Sequence, residues 1–403
     1  MLDYTFLGYE RENGEVGIRN HVLILPLQRD LSILARKISD HVKGTRPFIH
    51  LGESGRTAYD REIIYRTTVG LGCNPNVASV MILTKSRDTG YPELKLNRIL
   101  SEIEKTNKRI EVILVGDEGG YYNSLGKGVE LARDMVLEAS KCRRKEFDLS
   151  KVSLSVKCGM SDNTSGISGN PAVGNAFDKI VQAGGKAFFS ETTEVIGAEH
   201  LLVERCKNKE VADKLLKAVK ETEEKALSTG EDIRTINPIP QNIAGGISSL
   251  EEKSLGAIVK SGSSTIQDVL EYSQRPEEPG LYFVDGWMSG FTMPVGYAAS
   301  GAQLMIFQMG GQGLTGEKPP MSTIDSGVVI PIMYVTGNYS TYQRAKDNMD
   351  FDASGVYMNN LSIDEVGDKL LHTVLDIYSG TSTKVETLNY EDPVELDFQG
   401  PNF

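Results

Sequence analysis

The sequence predicts an α/β protein carrying two open, mostly parallel, doubly wound sheets with helices on both faces. Two patterns carry that prediction. Through residues 21–140, short apolar runs alternate with longer amphipathic ones, the βα order that a parallel sheet needs. From residue 152 onward, apolar strands run repeatedly into Gly-rich polar loops, and in open α/β sheets ligands sit outside the carboxyl ends of the strands. The chain has 403 residues, enough for two or three domains. The basic run KCRRK (141–145) and the following FDLSK read as a linker, dividing an N-terminal α/β domain (1–145) from a C-terminal one (146–403).

Taken in order, NGEVGIRN (13–20) is a turn signal that carries Arg19 and Asn20. Residues 21–27 form a strand and 31–42 a helix. A second strand, 46–50, ends in the Gly-rich turn LGESGR, which sets His50 and Arg56 at one edge. Arg61 and Arg66 follow on a helix. A strand over 77–84, a helix over 92–106 opened by Pro92, a strand over 110–116 and a helix ending near Ser140 complete the first half.

The second half opens with a strand over 152–156 whose alternation predicts one buried face. A polar loop beginning at Cys158 leads to Asn170 and Pro171, read as a helix N-cap and first-turn proline. Val173, Phe177, Ile180 and Val181 share a face of that helix, and Gly184 ends it. After a strand over 186–190 comes an acidic segment with Glu191, Glu194, Glu199 and His200. The loop after Cys158 is long for a strand-to-helix connection, where about two to six residues is usual. It combines a thiol, a carboxylate and amides beside a helix N-terminus, which attracts anions. The stretch from Cys158 to His200 is therefore the candidate site.

From His200 to Gly230 the spacing predicts a solvated helix with i,i+4 ion pairs. Within 237–262, Lys253 lies on a short helix and Lys260 beyond it, and the plain expectation for both is a surface ion pair of little worth. Strands are expected over 281–285, 303–308 and 328–336. GGQGLTG (310–316) weakly resembles a phosphate-cradling loop. The residues after Val385 read as an extended tail that docks on a neighbour or frays.

Composition narrows the class. With 43 basic and 55 acidic residues the net charge is −12, which disfavours nucleic-acid binding. No stretch approaches the ~20 apolar residues of a membrane span. The N-terminus lacks the basic-then-apolar order of a signal peptide, so a cytoplasmic protein is expected. Cys73, Cys142, Cys158 and Cys206 form no CxxC pair and are expected as thiols. There is no P-loop, GxSxG elbow or HExxH motif.

Four stretches carry a resemblance that spans almost the whole chain. GYERENGEVGIRN, CGMSDNTSGISGNPAVGNAFD, GGKAFFSETTEVIGAEHLL and NIAGGISSLEEKSLGAIVKSG resemble the motifs of the altronate and galactarate dehydratase family, in its large catalytic domain. The chain departs from the sugar-acid dehydratase pattern twice. HLGESGR stands where HxxGCG is usual, and TKSRD where GLGCE is usual. The subgroup without those cysteines is similar to the large subunit of sulfolactate sulfo-lyase. The resemblance implies a lyase that eliminates sulfite or water from a short anionic 2-hydroxy acid. It puts 3-sulfolactate ahead of altronate or galactarate as substrate. Because GYERENGEVGIRN opens the chain where a small domain precedes it in many members, a separate small subunit is expected, together with a homo-oligomer. A non-catalytic acid-binding protein on the same core is the alternative from another class.

Elimination beta to a carboxylate needs a base for the alpha proton, an electrophile for the developing enediolate, and help for the leaving group. His50 and His200 are the candidate bases, with Lys253 as a second-rank cation. The resemblance implies a divalent metal, iron(II) first and magnesium or manganese after it. Cys158, Asp162, Glu191 and Glu199 are its candidate ligands, with His200 a further donor. Arg19 and Arg56 are the candidate anion anchors, since guanidinium grips a carboxylate or sulfonate through two donors. The plain alternative for Arg56 is a salt bridge to Glu53 or Asp60. Asn20, Ser161, Asn170 and Asn242 complete the substrate-binding candidates.

Overall fold

A computed structural model describes residues 4–50, 52, 54–88, 90–311, 327–388 and 394–403. Glu53 and most of GGQGLTG lie outside the described residues. The chain opens with β1 (Thr5–Glu10) and β2 (Val16–Gly17), an antiparallel pair. Then β3 (His21–Pro26), β4 (Thr45–Pro47), β5 (Val77–Thr84) and β6 (Arg109–Leu114) form an all-parallel sheet in the order β4-β3-β5-β6. Next, β7 (Lys145–Asp148) returns to pair antiparallel with β1.

The second sheet holds β8 (Ser153–Gly159), β9 (Lys186–Phe189), β10 (Ile266–Leu270), β11 (Gly280–Val284), β12 (Leu304–Met309), β13 (Ile332–Thr336) and β14 (Phe351–Asp352). Its order is β10-β11-β9-β8-β12-β13-β14, and every pairing is parallel. The chain winds to one side of β8 through β9, β10 and β11, then crosses to β12 on the other. The expected fold, two parallel doubly wound sheets, is the one observed.

The layers explain the apolar patterns. Helices Ser32–His41 and Tyr121–Ala139 cover one face of the four-stranded sheet. Helices Ala58–Cys73 and Met293–Ser300 lie between the two sheets in a shared core that includes Leu25, Phe48, Phe188, Tyr282 and Tyr334. These two helices touch closely, since a Cβ at Gly70 would lie 2.3 Å from Ala299 O. Helices Asn170–Gln182, Lys209–Ser228 and Ile363–Tyr378 cover the far face. With both faces covered, β8 is buried from Ser153 to Cys158, not on one face as its alternation predicts. Its buried Ser153 and Ser155 hydroxyls instead donate to Gly301 O (3.0 Å) and Leu304 O (3.2 Å).

Other elements differ instructively. The segment read as a solvated linker is anchored, because Arg144 donates to Leu7 O at 2.6 Å, Tyr378 O at 2.8 Å and Ile18 O at 2.9 Å. The helix expected from 200 to 230 is two helices, Glu199–Val203 and Lys209–Ser228, the second capped by Asn208. Its i,i+4 pairs are present, Lys209–Asp213, Lys217–Glu221 and Lys220–Glu224 among them. The C-terminal tail docks on its own chain: Asp60 accepts from Gln399 N (2.8 Å) and Gly400 N (3.0 Å). Among the described residues, no helix is long and apolar enough to cross a membrane.

Candidate functional site: a buried lysine, glutamate and cysteine cluster

β8 and β9 are parallel neighbours, so the loops after them leave the same sheet edge. That edge lies where the strand order turns from β8 to β12, the place where α/β sheets bind ligands. At the end of β9 the chain reverses in one tight turn. Glu191 adopts φ 79° and ψ 71°, and Thr192–Glu194 make a single 3-10 turn in which Glu194 N donates to Glu191 O at 2.7 Å. A left-handed non-glycine residue costs roughly 1–3 kcal/mol and persists only where surroundings over-determine it. Here they do: the Glu191 carboxylate accepts from Cys158 N (2.8 Å), Lys157 Nζ (3.0 Å) and Lys260 Nζ (2.6 Å).

A third element supplies the other cations. Ser249 caps the helix Leu250–Ile258, which runs into the turn Val259–Ser261. Gly174 lets that turn approach the helix after β8, since a Cβ there would lie 2.3 Å from Val259 O. Lys260 Nζ reaches Glu191 Oε2 at 2.6 Å, Glu194 Oε2 at 3.0 Å and Cys158 Sγ at 3.1 Å. Lys253 Nζ lies 3.8 Å from Glu194 Oε1 and donates to Asn237 Oδ1 at 2.9 Å. Lys157 also donates to Cys158 O at 2.6 Å and lies over the Phe307 ring. None of these charged residues is more than 4% exposed, so the expectation of surface ion pairs for Lys253 and Lys260 is overturned.

Burial makes these interactions strong and their disruption costly. Burial pushes the Cys158 thiol up, and Glu194 and Glu191 add to this against Lys260. Cys158 Sγ lies 3.5 Å from Asn170 Oδ1. Burial alone would raise the Glu194 carboxyl, yet Lys260, Lys253 and Lys157 outweigh it and hold that carboxyl below the usual carboxylate range. Burial likewise disfavours the Lys260 ammonium, but Cys158, Glu191 and Glu194 keep its pKa well above the ordinary lysine value.

Cys158, Glu191 and Glu194 each offer a ligand atom, all within 4.8 Å of one another, so this group could hold a metal ion. A thiol with two carboxylates suits a borderline divalent ion such as iron better than magnesium. Lys260 contacts all three of those atoms.

Of the residues singled out in the sequence, Cys158, Glu191, Asn170 and Lys253 meet in this cluster. Asn170 is the first helical residue and not a cap, because a turn over Ser165–Gly169 extends the helix backward. Its side chain is then free to approach Cys158 and donate to Gly256 O at 2.7 Å. Ser161 sits on the adjoining loop and Asn242 on the short helix Pro240–Ala244, joined by Asn242 Nδ2 donating to Ser161 O at 2.8 Å. Asp162 stands apart from the metal-capable group. Its carboxylate ties three loops together, accepting from Thr164 Oγ1 (2.6 Å), Gly311 N (2.6 Å) and Asn338 Nδ2 (2.8 Å). Glu199 accepts from Gly197 N in its own turn, and His200 is exposed, because the new helix starts there and turns both away.

The remaining candidates serve the fold elsewhere. Arg19 grips Glu386 through two 2.7 Å bonds and donates to Ile18 O, Ile377 O and Thr381 O, which spends it as an anion anchor. Asn20 accepts from Arg11 (2.8 Å) and donates to Ala139 O (2.7 Å). His50 and Arg56 lie under the C-terminal tail. His50 stacks on Phe48, accepts from Gly52 N at 3.1 Å and bridges to Val394. Burial, aided by Arg29, holds its pKa down to about 4. Arg56 lies 3.9 Å over the Phe398 ring and donates to Gly400 O, while Asp60 is taken by the tail backbone.

Three residues of the cluster escaped the sequence reading as site members: Lys157, Glu194 and Lys260. Only Glu194 left a signal, its three-residue spacing from Glu191, which one tight turn converts into adjacency. Beside the cluster, Thr192 donates to Asp285 Oδ1 at 2.7 Å. Asp285 lines an open groove of about 940 Å³ between the helix Lys209–Ser228 and the loop after β10, with Tyr59, Lys225 and Gln399.

Residues 8–140 match the second domain of the D-galactarate dehydratase/altronate hydrolase family, and residues 149–397 match the C-terminal domain of D-galactarate/altronate dehydratases. The chain is 33% identical over 391 residues to the (2R)-sulfolactate sulfo-lyase subunit beta of Chromohalobacter salexigens, covering 96% of each chain. It is 27% identical to the altronate dehydratase of Bacillus subtilis over 96% of this chain and 76% of that one. It is 30% identical to the galactarate dehydratase (L-threo-forming) of Escherichia coli over 94% of this chain and 73% of that one.

Proposed function

The chain belongs to the D-galactarate/altronate dehydratase family, and from that premise we propose that it is the large subunit of a lyase releasing sulfite from 3-sulfolactate. It is an enzyme of the lyase class acting on an anionic hydroxy acid, as its relatives are. The observation that carries the reading is the cluster of Lys157, Lys253, Lys260, Glu191, Glu194 and Cys158 at the switch point of the seven-stranded sheet. The higher identity to a sulfo-lyase subunit, 33% against 27% and 30% for two sugar-acid dehydratases, favours the sulfonate.

The residues suit the chemistry. The alpha proton of a hydroxy acid leaves only when the enediolate charge is stabilised. Lys253 and Lys260 place two ammonium groups within 4 Å of Glu194, the base in this scheme, which is held ionised. The same cations attract the substrate carboxylate, and Asn170, Ser161 and Asn242 orient it. A divalent metal, iron(II) before magnesium or manganese, would be held by Cys158, Glu191 and Glu194 in place of the Lys260 ammonium, with Glu194 then a ligand and not the base. Such an ion would polarise the carboxylate and hydroxyl as a Lewis acid. This scheme leaves Arg56 out as the reader of the leaving group, because the tail already engages it. A separate small subunit closes the site against water in this scheme, in keeping with the subunit name of the sulfo-lyase relative. The assembly is proposed as a homo-oligomer of such pairs.

One observation favours dehydration of altronate or galactarate as the second reading. The groove beside the cluster carries Asp285, Glu271 and Gln399, acceptors suited to sugar hydroxyls, alongside Lys214, Lys217 and Lys225. The deciding experiment measures sulfite release from 3-sulfolactate against keto-acid formation from altronate and galactarate, with and without the small subunit. Sulfite release well above either dehydration is expected. Faster turnover of a sugar acid would replace the sulfo-lyase reading by the second.

A further inference from the structure

We infer that Lys260 is a resident cation: its ammonium fills the seat a divalent metal would take among Cys158, Glu191 and Glu194, so ammonium and metal exclude one another. The inference rests on the metal-assisted form of the proposed function and concerns how that site is loaded. An ammonium has three N–H donors and no acceptor. Lys260 has three partners, at 2.6, 3.0 and 3.1 Å, and they are the three metal-capable groups. Its neighbours differ. Lys157 also binds Cys158 O, and Lys253 also binds Asn237 Oδ1, so each has a neutral partner to keep when the charge of the cluster changes. Among the described residues, Lys260 has no such partner.

Charge leads to the same conclusion. Three ammonium groups already face two carboxylates, so a divalent ion added beside Lys260 would meet a like charge at contact distance in a buried site. The ion must therefore replace the Lys260 head group. The backbone cannot carry that head group away, because the turn is wedged against the helix after β8. Val259 O and the Gly262 backbone lie 2.3–3.0 Å from where a Gly174 Cβ would stand. Loading is then a rotation of the Lys260 side chain out of the cluster, with the backbone retained.

The test is a cobalt(II) titration of the full chain, read by the thiolate-to-cobalt charge-transfer absorbance in the near ultraviolet. Lys260→Met is expected to bind cobalt roughly tenfold or more tightly than the wild type. Adding Cys158→Ser is expected to remove the absorbance. Equal affinity of wild type and Lys260→Met, with the same band, overturns the inference, and so does absence of the band from both. Lys260→Gln, which keeps a donor to the carboxylates, serves as the second variant if the methionine protein does not fold. Amine labelling of the wild type gives an independent readout: Lys260 is protected without metal and labelled at cobalt saturation, and protection at saturation overturns the proposal. Sulfite release by the wild type is measured separately. Loss of the lyase reading shows as missing turnover, and loss of the Lys260 inference shows in binding alone.

Discussion

The carboxyl edges of the two parallel sheets carry similar residue types and do different work. At the four-stranded sheet, His50 and Arg56 follow β4 beside a Gly-rich turn. At the seven-stranded sheet, Cys158 and Glu191 follow β8 and β9. The first edge is filled by the chain's own tail, with Phe398 against Arg56 and Val394 bridged to His50. At the second edge, side chains from β8, the turn after β9, the helix Leu250–Ile258 and the turn Val259–Ser261 that follows it converge on one point. A reactive residue at a strand end is therefore only an opportunity. What makes a candidate site is convergence of opposite charges from separate elements in a place that denies them water.

The largest effect that would break this comparison is at Glu194. Glu194→Gln is expected to lower turnover about 10²–10⁴-fold, the range of a general base. It is also expected to destabilise the fold by about 3 kcal/mol, because Lys260 and Lys253 lose a buried counter-charge. Steady-state kinetics and denaturant unfolding measure the two. Turnover within about twofold of the wild type would remove Glu194 from the chemistry.

A smaller effect is expected at the tail-filled edge. Arg56→Lys loses the planar stack on Phe398 and costs about 0.5–1 kcal/mol of stability. Turnover should hold. A large rise in KM for substrate at unchanged stability would return Arg56 to the site and erase the contrast between the edges.

A third effect is a slope with pH. Asp397, on the tail, is pushed up to about 7 by burial and by Asp285 and Asp60, against Lys225. A carboxyl raised in the fold contributes stability that is present below the ordinary carboxylate range and lost as pH climbs through about 7. Asp397→Asn cannot lose that proton. The wild-type melting temperature should therefore fall by roughly 2–4 °C relative to the variant between pH 5 and pH 8. Parallel melting curves across that range would show that Asp397 is not protonated in the folded protein.

The sequence by itself determined the order of elements, because strand and helix periods are local. It placed Cys158 and Glu191 together for a simple reason: residues just past neighbouring parallel strands must meet at one edge. It also carried the family motifs that identify the class of reaction. Only the tertiary structure decided the rest. Arg19 has the composition of an anion anchor, and Glu386, 367 residues away, claims it. Asp162 has the composition of a ligand, and the loops after β12 and β13 claim it. Lys260 reads as a surface lysine, yet its stem is buried and its head group sits between two glutamates 66 and 69 residues away. Long-range pairing of charge depends on which surfaces the packing brings face to face and closes to water, and no local period in the chain records that.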